Sequence, residues 1–120
     1  MTIKEFAART GLTAHTLRYY EKMGLMRNVA RSNSGQRRYN EEDVNWVGLI
    51  QCFKATGMPL KELQRFVELE RCGDVTASER LVLLRRHEQN VQAERVELDR
   101  QHTKLLAKIA HHEQIISKKT

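Results

Sequence analysis

The sequence predicts a mainly α protein with a small N-terminal domain and a long C-terminal helix. Three observations predict it. Two short helical segments separated by a glycine open the chain, an arginine-rich stretch with a turn sequence follows, and apolar residues recur every seven positions in the last third. Together they indicate a winged helix-turn-helix domain at 1–70, a hinge loop at 71–75 and a dimerisation coiled coil at 76–120.

Composition limits the classes of protein that this chain can belong to. Its 120 residues carry a formal charge of +6, which favours polyanionic partners such as nucleic acid, although a basic surplus is also compatible with simple solvation. No apolar run is long enough to span a membrane, and the first residues lack a signal-peptide core, so we expect no membrane partner. Two cysteines are too few for a disulfide framework and favour a reducing cytoplasm.

The opening helices are marked by their caps. Thr2 and Glu5 fit a capping box, and Gly11 interrupts the helical pattern. Thr13 then starts a second helix that ends at Gly24, where a residue tolerant of the left-handed conformation is needed. Two short helices joined by such a turn are typical of DNA-binding proteins but occur elsewhere too.

The second helix has one apolar side and one side suited to nucleic acid. Leu17 and Tyr20 are spaced to face a core. The remaining side chains combine hydroxyl, cationic and aromatic groups, which contact phosphates and base edges. These candidates are Thr13, His15, Thr16, Arg18 and Tyr19.

An arginine-rich stretch follows the second helix. The turn sequence Asn33–Gly35 lies between two short extended segments, which predicts a β-hairpin, or wing. Its cationic and aromatic side chains suit phosphate contact and groove insertion. They are Arg27, Arg31, Arg37, Arg38 and Tyr39. The alternative is a solvated basic loop.

Two further helices complete the predicted domain. Asn40 caps the third, which ends at Gly57, and Pro59 lies near the N1 position of the fourth. Their predicted core-facing residues are Val44, Trp46, Val47, Leu49 and Ile50, then Leu60, Leu63, Phe66 and Val67.

The last third has the spacing of a coiled-coil seam. One series is Leu84, Val91, Leu98 and Leu105, continued by His112, and the companion series is Leu81, Glu88, Arg95, His102, Ile109 and Ile116. A helix of about 40 residues is about 60 Å long and exceeds what the small domain can cover. We therefore expect a homodimer, with the direction of pairing left open by the pattern. A helix that folds back or frays is the alternative.

The chain resembles the MerR family of bacterial transcription regulators along nearly its whole length. The resemblance is carried by Gly11–Thr13, Thr16–Glu21, Gly24–Leu25 and Arg37-x-Tyr39, with the acidic opening of the third helix. Two departures fall on the wing. Gln36 replaces an aromatic or aliphatic residue, and Asn28–Ala30 replaces a proline-bearing step.

The resemblance implies an antiparallel dimer on a two-fold symmetric operator. Family members activate transcription by bending and untwisting an overlong promoter spacer, so double-stranded promoter DNA and, indirectly, RNA polymerase are the implied partners. By the same resemblance, Arg18 and Tyr19 contact DNA from the recognition helix. Arg31, Arg37 and Tyr39 contact it from the wing, and Lys54 and Lys61 are weaker phosphate candidates.

Cys52 is the candidate residue for sensing the molecule that induces the regulator. Short aldehyde-responsive and thiol-stress regulators of the AdhR and NmlR type are similar to this chain here, which implies a reactive thiol on the third helix. Cys72 is a second thiol without an assigned role. His111 and His112 alone do not make a metal site, so we predict no metal, cofactor or catalytic residues. A metal-responsive regulator, an effector-independent architectural DNA-bending protein and a coiled-coil scaffold remain alternatives.

Overall fold

The computed structural model of the protein describes residues 1–27, 30–31 and 37–119, and of residues 30, 31 and 37 it describes the backbone alone. It divides into two compact units, Met1–Leu84 and Arg85–Thr120. The elements, in chain order, are α1 (Ile3–Thr10), α2 (Ala14–Lys22), β1 (Ala30–Arg31), β2 (Arg37–Arg38), α3 (Glu41–Ala55), α4 (Leu60–Arg71), a short 3-10 helix (Asp74–Thr76) and α5 (Ala77–Lys119). The predicted mainly α fold is confirmed.

Local sequence signals set the starts of the first three helices. The Thr2 hydroxyl accepts from the Glu5 amide at 3.2 Å, and the Thr13 hydroxyl accepts from the Thr16 amide at 3.1 Å. Asn40 caps α3 through a full capping box, as its side chain and that of Asp43 exchange hydrogen bonds with each other's backbone amides. The predicted N-caps are therefore confirmed.

The fourth helix departs from the prediction at its start. Pro59 is the N-cap of α4, directly before N1, which agrees with its predicted place near that position. Leu60, predicted to face the core, is 41% exposed. Leu69, which the prediction omitted, is buried near the other end of the helix. The buried residues of α4 therefore lie nearer its C-terminus than the prediction placed them.

The core of the first unit joins α1, α2, α3 and α4. Phe6 of α1, Leu17 of α2, Ile50 of α3 and Val67 of α4 each expose 1% of their surface or less. Partly buried Leu83 and Leu84 of α5 pack against this core, so the first two turns of the long helix belong to the winged unit.

Hydrogen bonds fix the start of α5 to the end of α4. The buried Thr76 hydroxyl bonds to the Leu69 carbonyl, and it accepts from Arg80 Nε at 3.1 Å. The Arg80 guanidinium also pairs with Glu70 and donates to the Gly73 carbonyl at 2.9 Å. The segment predicted as a hinge loop is therefore bridged by hydrogen bonds at its C-terminal end.

The second unit consists of the rest of α5. That helix has 43 residues, which corresponds to about 65 Å. Within the described ranges, no helix is both long and apolar enough to cross a membrane.

Candidate nucleic-acid interface

The helix α2 is held by its apolar side and leaves its polar side exposed. Leu17 is 1% exposed and Tyr20 is 4% exposed. Gly11, with a φ of 74°, makes the turn between α1 and α2 in the left-handed region that glycine tolerates. His15, Arg18 and Tyr19 are exposed, and Tyr19 retains 42% of its surface. The structure therefore brings these three predicted contacts together on one surface.

The two threonines of α2 are engaged locally. Besides capping the helix, the Thr13 hydroxyl donates to the Thr16 hydroxyl at 3.0 Å. Thr13 is exposed and Thr16 half-buried, so both lie at the start of α2 beside the exposed surface. A phosphate contact from Thr13 would compete with this hydrogen bond, whereas Thr16, which accepts in it, keeps its own hydroxyl proton to donate.

The backbone of the predicted wing forms a two-stranded antiparallel ladder. Ala30 pairs with Arg38, and Arg31 pairs with Arg37. Arg38 has an exposed side chain. The predicted turn at 33–35 and the side chains of Arg31 and Arg37 lie outside the described part of the chain, so their predicted contacts stay predictions.

Tyr39 is a core residue, which corrects its predicted role at the DNA surface. Its side chain is 3% exposed and stacks on Phe6 with ring centroids 4.1 Å apart. Its hydroxyl donates to the Glu21 carboxylate at 3.0 Å. Met1 and Tyr39 also exchange backbone hydrogen bonds. Because burial leaves no ring surface for a duplex, Tyr39 joins the wing to α1 and α2 instead.

The segment between α2 and the wing is fixed by donors from α3 and α4. We call residues 23–27 the strap. Three of its carbonyls accept from side chains of α3 and α4: Met23 from Gln64 at 2.8 Å, Leu25 from Trp46 at 2.8 Å and Met26 from Arg71 at 2.7 Å. The recognition helix and the base of the wing are thereby held to the same two helices.

These strap donors were missed from the sequence. Trp46 was predicted only as a core residue, although a buried indole N–H needs an acceptor and so signals a fixed partner. Gln64 and Arg71 carry no such signal, because their acceptors lie 41 and 45 residues away in the chain.

The two lysine candidates have different surroundings. Lys54, near the end of α3, places its ammonium 5.5 Å from the Tyr19 ring centroid and 5.0 Å from that of Tyr20. Burial raises the pKa of the Tyr20 hydroxyl. Lys61, in the first turn of α4, is exposed. Only Lys54 therefore contacts α2 directly.

An ion pair links α1 to the start of α3 beside this surface. Arg9 donates to both carboxylate oxygens of Glu41, at 2.7 and 2.8 Å. These hydrogen bonds hold the pKa of Glu41 below its usual range and raise that of Arg9. Such a two-pronged geometry is the stronger form of a surface ion pair, and it connects α1 to the start of α3.

The two cysteines are free and exposed. Cys52 lies on the outer side of α3, and its neighbour Gln51 donates to the carbonyl of Thr10 at the end of α1, at 3.4 Å. Cys72 caps α4. No group of three metal-binding side chains occurs in the described ranges, and His111 and His112 contact each other edge to face.

The predicted dimerisation residues lie along α5 with much of their apolar surface uncovered. Leu98, Leu105 and Ile109 are 70%, 63% and 53% exposed. Leu81 is 44% exposed, whereas Leu84 and Val91 are half-buried. This apolar series is the surface on which a second helix is expected.

Comparisons with known proteins identify the family. Residues 1–70 match the model of the MerR HTH family regulatory protein, and residues 44–108 match the model described as MerR, DNA binding. An uncharacterized HTH-type transcriptional regulator of Haemophilus influenzae is 41% identical over 112 residues, covering 93% of this chain and 83% of the relative. The regulator AdhR of Bacillus subtilis is 42% identical over 84 residues, which span 70% of this chain and 60% of AdhR.

Solved structures give the same assignment. One is HiNmlR, a MerR family regulator lacking the sensor domain and bound to promoter DNA. It is 41% identical with a TM-score of 0.86, over 94% of this chain and 90% of that one. A MerR family regulator from Bacillus thuringiensis is 34% identical with a TM-score of 0.80, over 92% and 96% of the two chains. The chain therefore belongs to the MerR family of DNA-binding transcriptional regulators, and it is a regulatory protein rather than an enzyme.

Proposed function

We propose that the protein binds a two-fold symmetric promoter site as a homodimer and regulates transcription by distorting the DNA between promoter elements. The observation that carries this proposal is the exposed surface of α2, where His15, Arg18 and Tyr19 stand on a helix anchored by buried Leu17 and Tyr20. HiNmlR, to which this chain is similar, was crystallised bound to promoter DNA, and this supports DNA as the partner of the α2 surface.

The proposed contacts divide by chemistry. Arg18 offers two parallel donors, which suit a guanine edge or a phosphate, and the Tyr19 hydroxyl suits a phosphate. The start of α2 adds hydroxyl and imidazole groups, and the wing sequence adds guanidinium groups. The proposed supporting set is Thr13, His15, Thr16, Arg31, Arg37 and Arg38, with Lys61 further along the backbone.

Replacement of Arg18 tests this interface. We expect Arg18→Ala to weaken binding to the duplex that the wild-type protein selects from a randomised pool by about 10- to 100-fold, because one good base contact contributes about 1–3 kcal/mol. Arg100→Ala is the matched control, since Arg100 lies in the second unit and pairs with Glu97. Equal affinities for Arg18→Ala and wild type at every salt concentration would contradict the proposal.

The uncovered residues of α5 support a homodimer, and the polar seam positions support antiparallel pairing. In a parallel, in-register pair every seam residue faces its own copy, so Glu88, Arg95 and His102 give successive layers of like groups. In an antiparallel pair, the series that contains Glu88, Arg95 and His102 faces the partner helix's other series, which contains Leu98 and Leu105. Leu98 and Leu105, more than half exposed, are then available to cover the polar positions.

Cross-linking distinguishes the two directions. Single cysteines are placed in turn at Leu84, Val91, Leu98 and Leu105, in a chain whose Cys52 and Cys72 are serine. Antiparallel pairing brings a residue opposite its own copy only near the centre of the seam, so we expect efficient cross-linking at one position at most. Efficient cross-linking at all four would show parallel pairing.

DNA distortion is the proposed route to activation, with RNA polymerase recognising the realigned promoter. Bending a site costs about 1–6 kcal/mol, which phosphate contacts from two winged units can supply. Shortening the promoter spacer one base pair at a time should yield a promoter that no longer needs the regulator. Continued dependence at every spacer length would exclude this mechanism.

Cys52 is the proposed sensor of aldehydes or other electrophiles. Its thiol is exposed, so a reagent can reach it. The thiolate would add to the carbonyl carbon, forming a carbon–sulfur bond while the carbonyl oxygen takes up a proton. Gln51, the adjacent residue, holds the end of α1, so a group added at Cys52 lies next to a contact that positions the helix pair.

The sensor is tested by transcription with and without formaldehyde. We expect Cys52→Ser to abolish the response and Cys72→Ser, which alters the other exposed thiol, to retain it. Mass spectrometry of the treated protein locates the adduct. A response that survives Cys52→Ser excludes Cys52, and operator use unaffected by electrophiles in all variants indicates an architectural protein without an effector.

A further inference from the structure

The ammonium group of Lys54 lies over two aromatic rings of the recognition helix. It is 5.5 Å from the ring centroid of Tyr19 and 5.0 Å from that of Tyr20, both within cation–π range. Consecutive residues of a helix point about 100° apart, so few positions can contact both rings. Lys54 reaches such a position from the last turns of α3.

The two rings differ in what they can do. Tyr20 is 4% exposed and belongs to the core, whereas Tyr19 is 42% exposed. In the part of the chain that the structure describes, no carboxylate pairs with Lys54. The contacts that the structure describes for its ammonium are those with the two rings, which differs from the direct phosphate contact predicted from the sequence.

We propose that Lys54 is a positioning residue for Tyr19, which holds the exposed ring so that its hydroxyl meets the DNA backbone in one orientation. Tyr20 supplies the fixed side of the arrangement, because its ring is buried in the core, and Lys54 connects the exposed ring of Tyr19 to it. Ordering an exposed side chain before binding removes part of the entropy that binding otherwise costs. Because Tyr19 is itself proposed to contact the duplex, this positioning role rests on the proposed function.

The positioning role predicts coupling between Lys54 and the Tyr19 hydroxyl. The probe is the duplex selected by the wild-type protein from a randomised pool. We expect Lys54→Met to weaken binding about three- to fivefold, the size of a cation–π contact, and Lys54→Arg, which keeps the cation, to stay within about twofold of wild type. In a Tyr19→Phe background, Lys54→Met should cause no further loss, since the hydroxyl that it positions is absent.

Salt dependence separates positioning from direct contact. A lysine that neutralises a phosphate contributes about 0.9 to the slope of log K against log salt, so its loss lowers the slope by that amount. We expect the slope for Lys54→Met to match that of Lys104→Met, a charge-matched control in the second unit. The positioning role would be overturned if the slope for Lys54→Met were lower than that for Lys104→Met. Unchanged affinity of Lys54→Met, or additive losses in the double variant with Tyr19→Phe, would overturn it as well.

A measurement on the unaltered lysine keeps the proposal testable even where a variant folds poorly. Protons above an aromatic ring are shifted upfield in the NMR spectrum, so the ε-methylene protons of Lys54 should resonate upfield of those of Lys104 in the free protein. Random-coil positions for both would overturn it. Unchanged binding by Tyr19→Phe alone would instead remove the proposed Tyr19 contact, so the two failures are distinguishable.

Discussion

Leu98 gives the most direct test of the proposed dimer. It is 70% exposed on the single chain and lies between Val91 and Leu105 of the seam. Replacing it with alanine removes three carbon atoms, and at that exposure the lost burial amounts to about 1.7 kcal/mol per chain. A homodimer contains the change twice, so Leu98→Ala should weaken dimerisation by about 3.4 kcal/mol, or about 300-fold in Kd.

Sedimentation equilibrium measures this change over a range of protein concentrations. Leu106→Ala is the matched control, because Leu106 is 51% exposed on the same helix but lies outside both heptad series. We expect Leu106→Ala to dimerise like the wild type. Equal dissociation of the two variants, or no effect of Leu98→Ala, would refute the assignment of the seam and with it the proposed two-fold operator.

Three further predictions concern the first unit. Thr76→Val removes a buried hydroxyl that hydrogen-bonds to the Leu69 carbonyl and to Arg80, so it should lower the free energy of unfolding by about 2 kcal/mol. Urea unfolding followed by the fluorescence of Trp46, the single tryptophan, measures this change. An unchanged unfolding midpoint would contradict the prediction. Because Arg9 lowers the pKa of Glu41, their ion pair stabilises the fold at neutral pH and is lost as the pH falls through that lowered pKa. Glu41→Gln should therefore lower stability at neutral pH and reduce its loss on acidification, which thermal unfolding across pH tests; a parallel loss in both proteins counts against the pair. Tyr39→Phe should cost about 1 kcal/mol of stability and leave the affinity of the folded protein for DNA within about twofold, whereas a large loss of affinity would restore its predicted DNA contact.

Features that depend on neighbouring residues could be predicted from the sequence. Thr2, Thr13 and Asn40 cap their helices as predicted because a cap involves residues three positions apart. The long helix was predicted from heptad spacing, which is also local.

Features that depend on distant residues could not be predicted in the same way. Tyr39 follows an arginine-rich stretch and has the composition of a surface wing, yet Phe6 covers its ring from 33 residues away. Leu60 satisfies the apolar spacing of α4, but as the first residue of that helix it remains 41% exposed. The position of Lys54 over two rings of α2 depends on how α3 packs on α2, which residue spacing along either helix does not specify.

The strap has a consequence for how this protein tolerates substitution. Its acceptors are main-chain carbonyls, which every residue supplies, so its hydrogen bonds survive any exchange at residues 23–27 that keeps the backbone path. Its donors are side chains, and the loss of Trp46, Gln64 or Arg71 leaves a carbonyl unpaired. A library of exchanges in the DNA-reading segments should therefore yield folded proteins most often when these three residues are kept, which would let DNA preference be redesigned while the supporting helices stay unchanged.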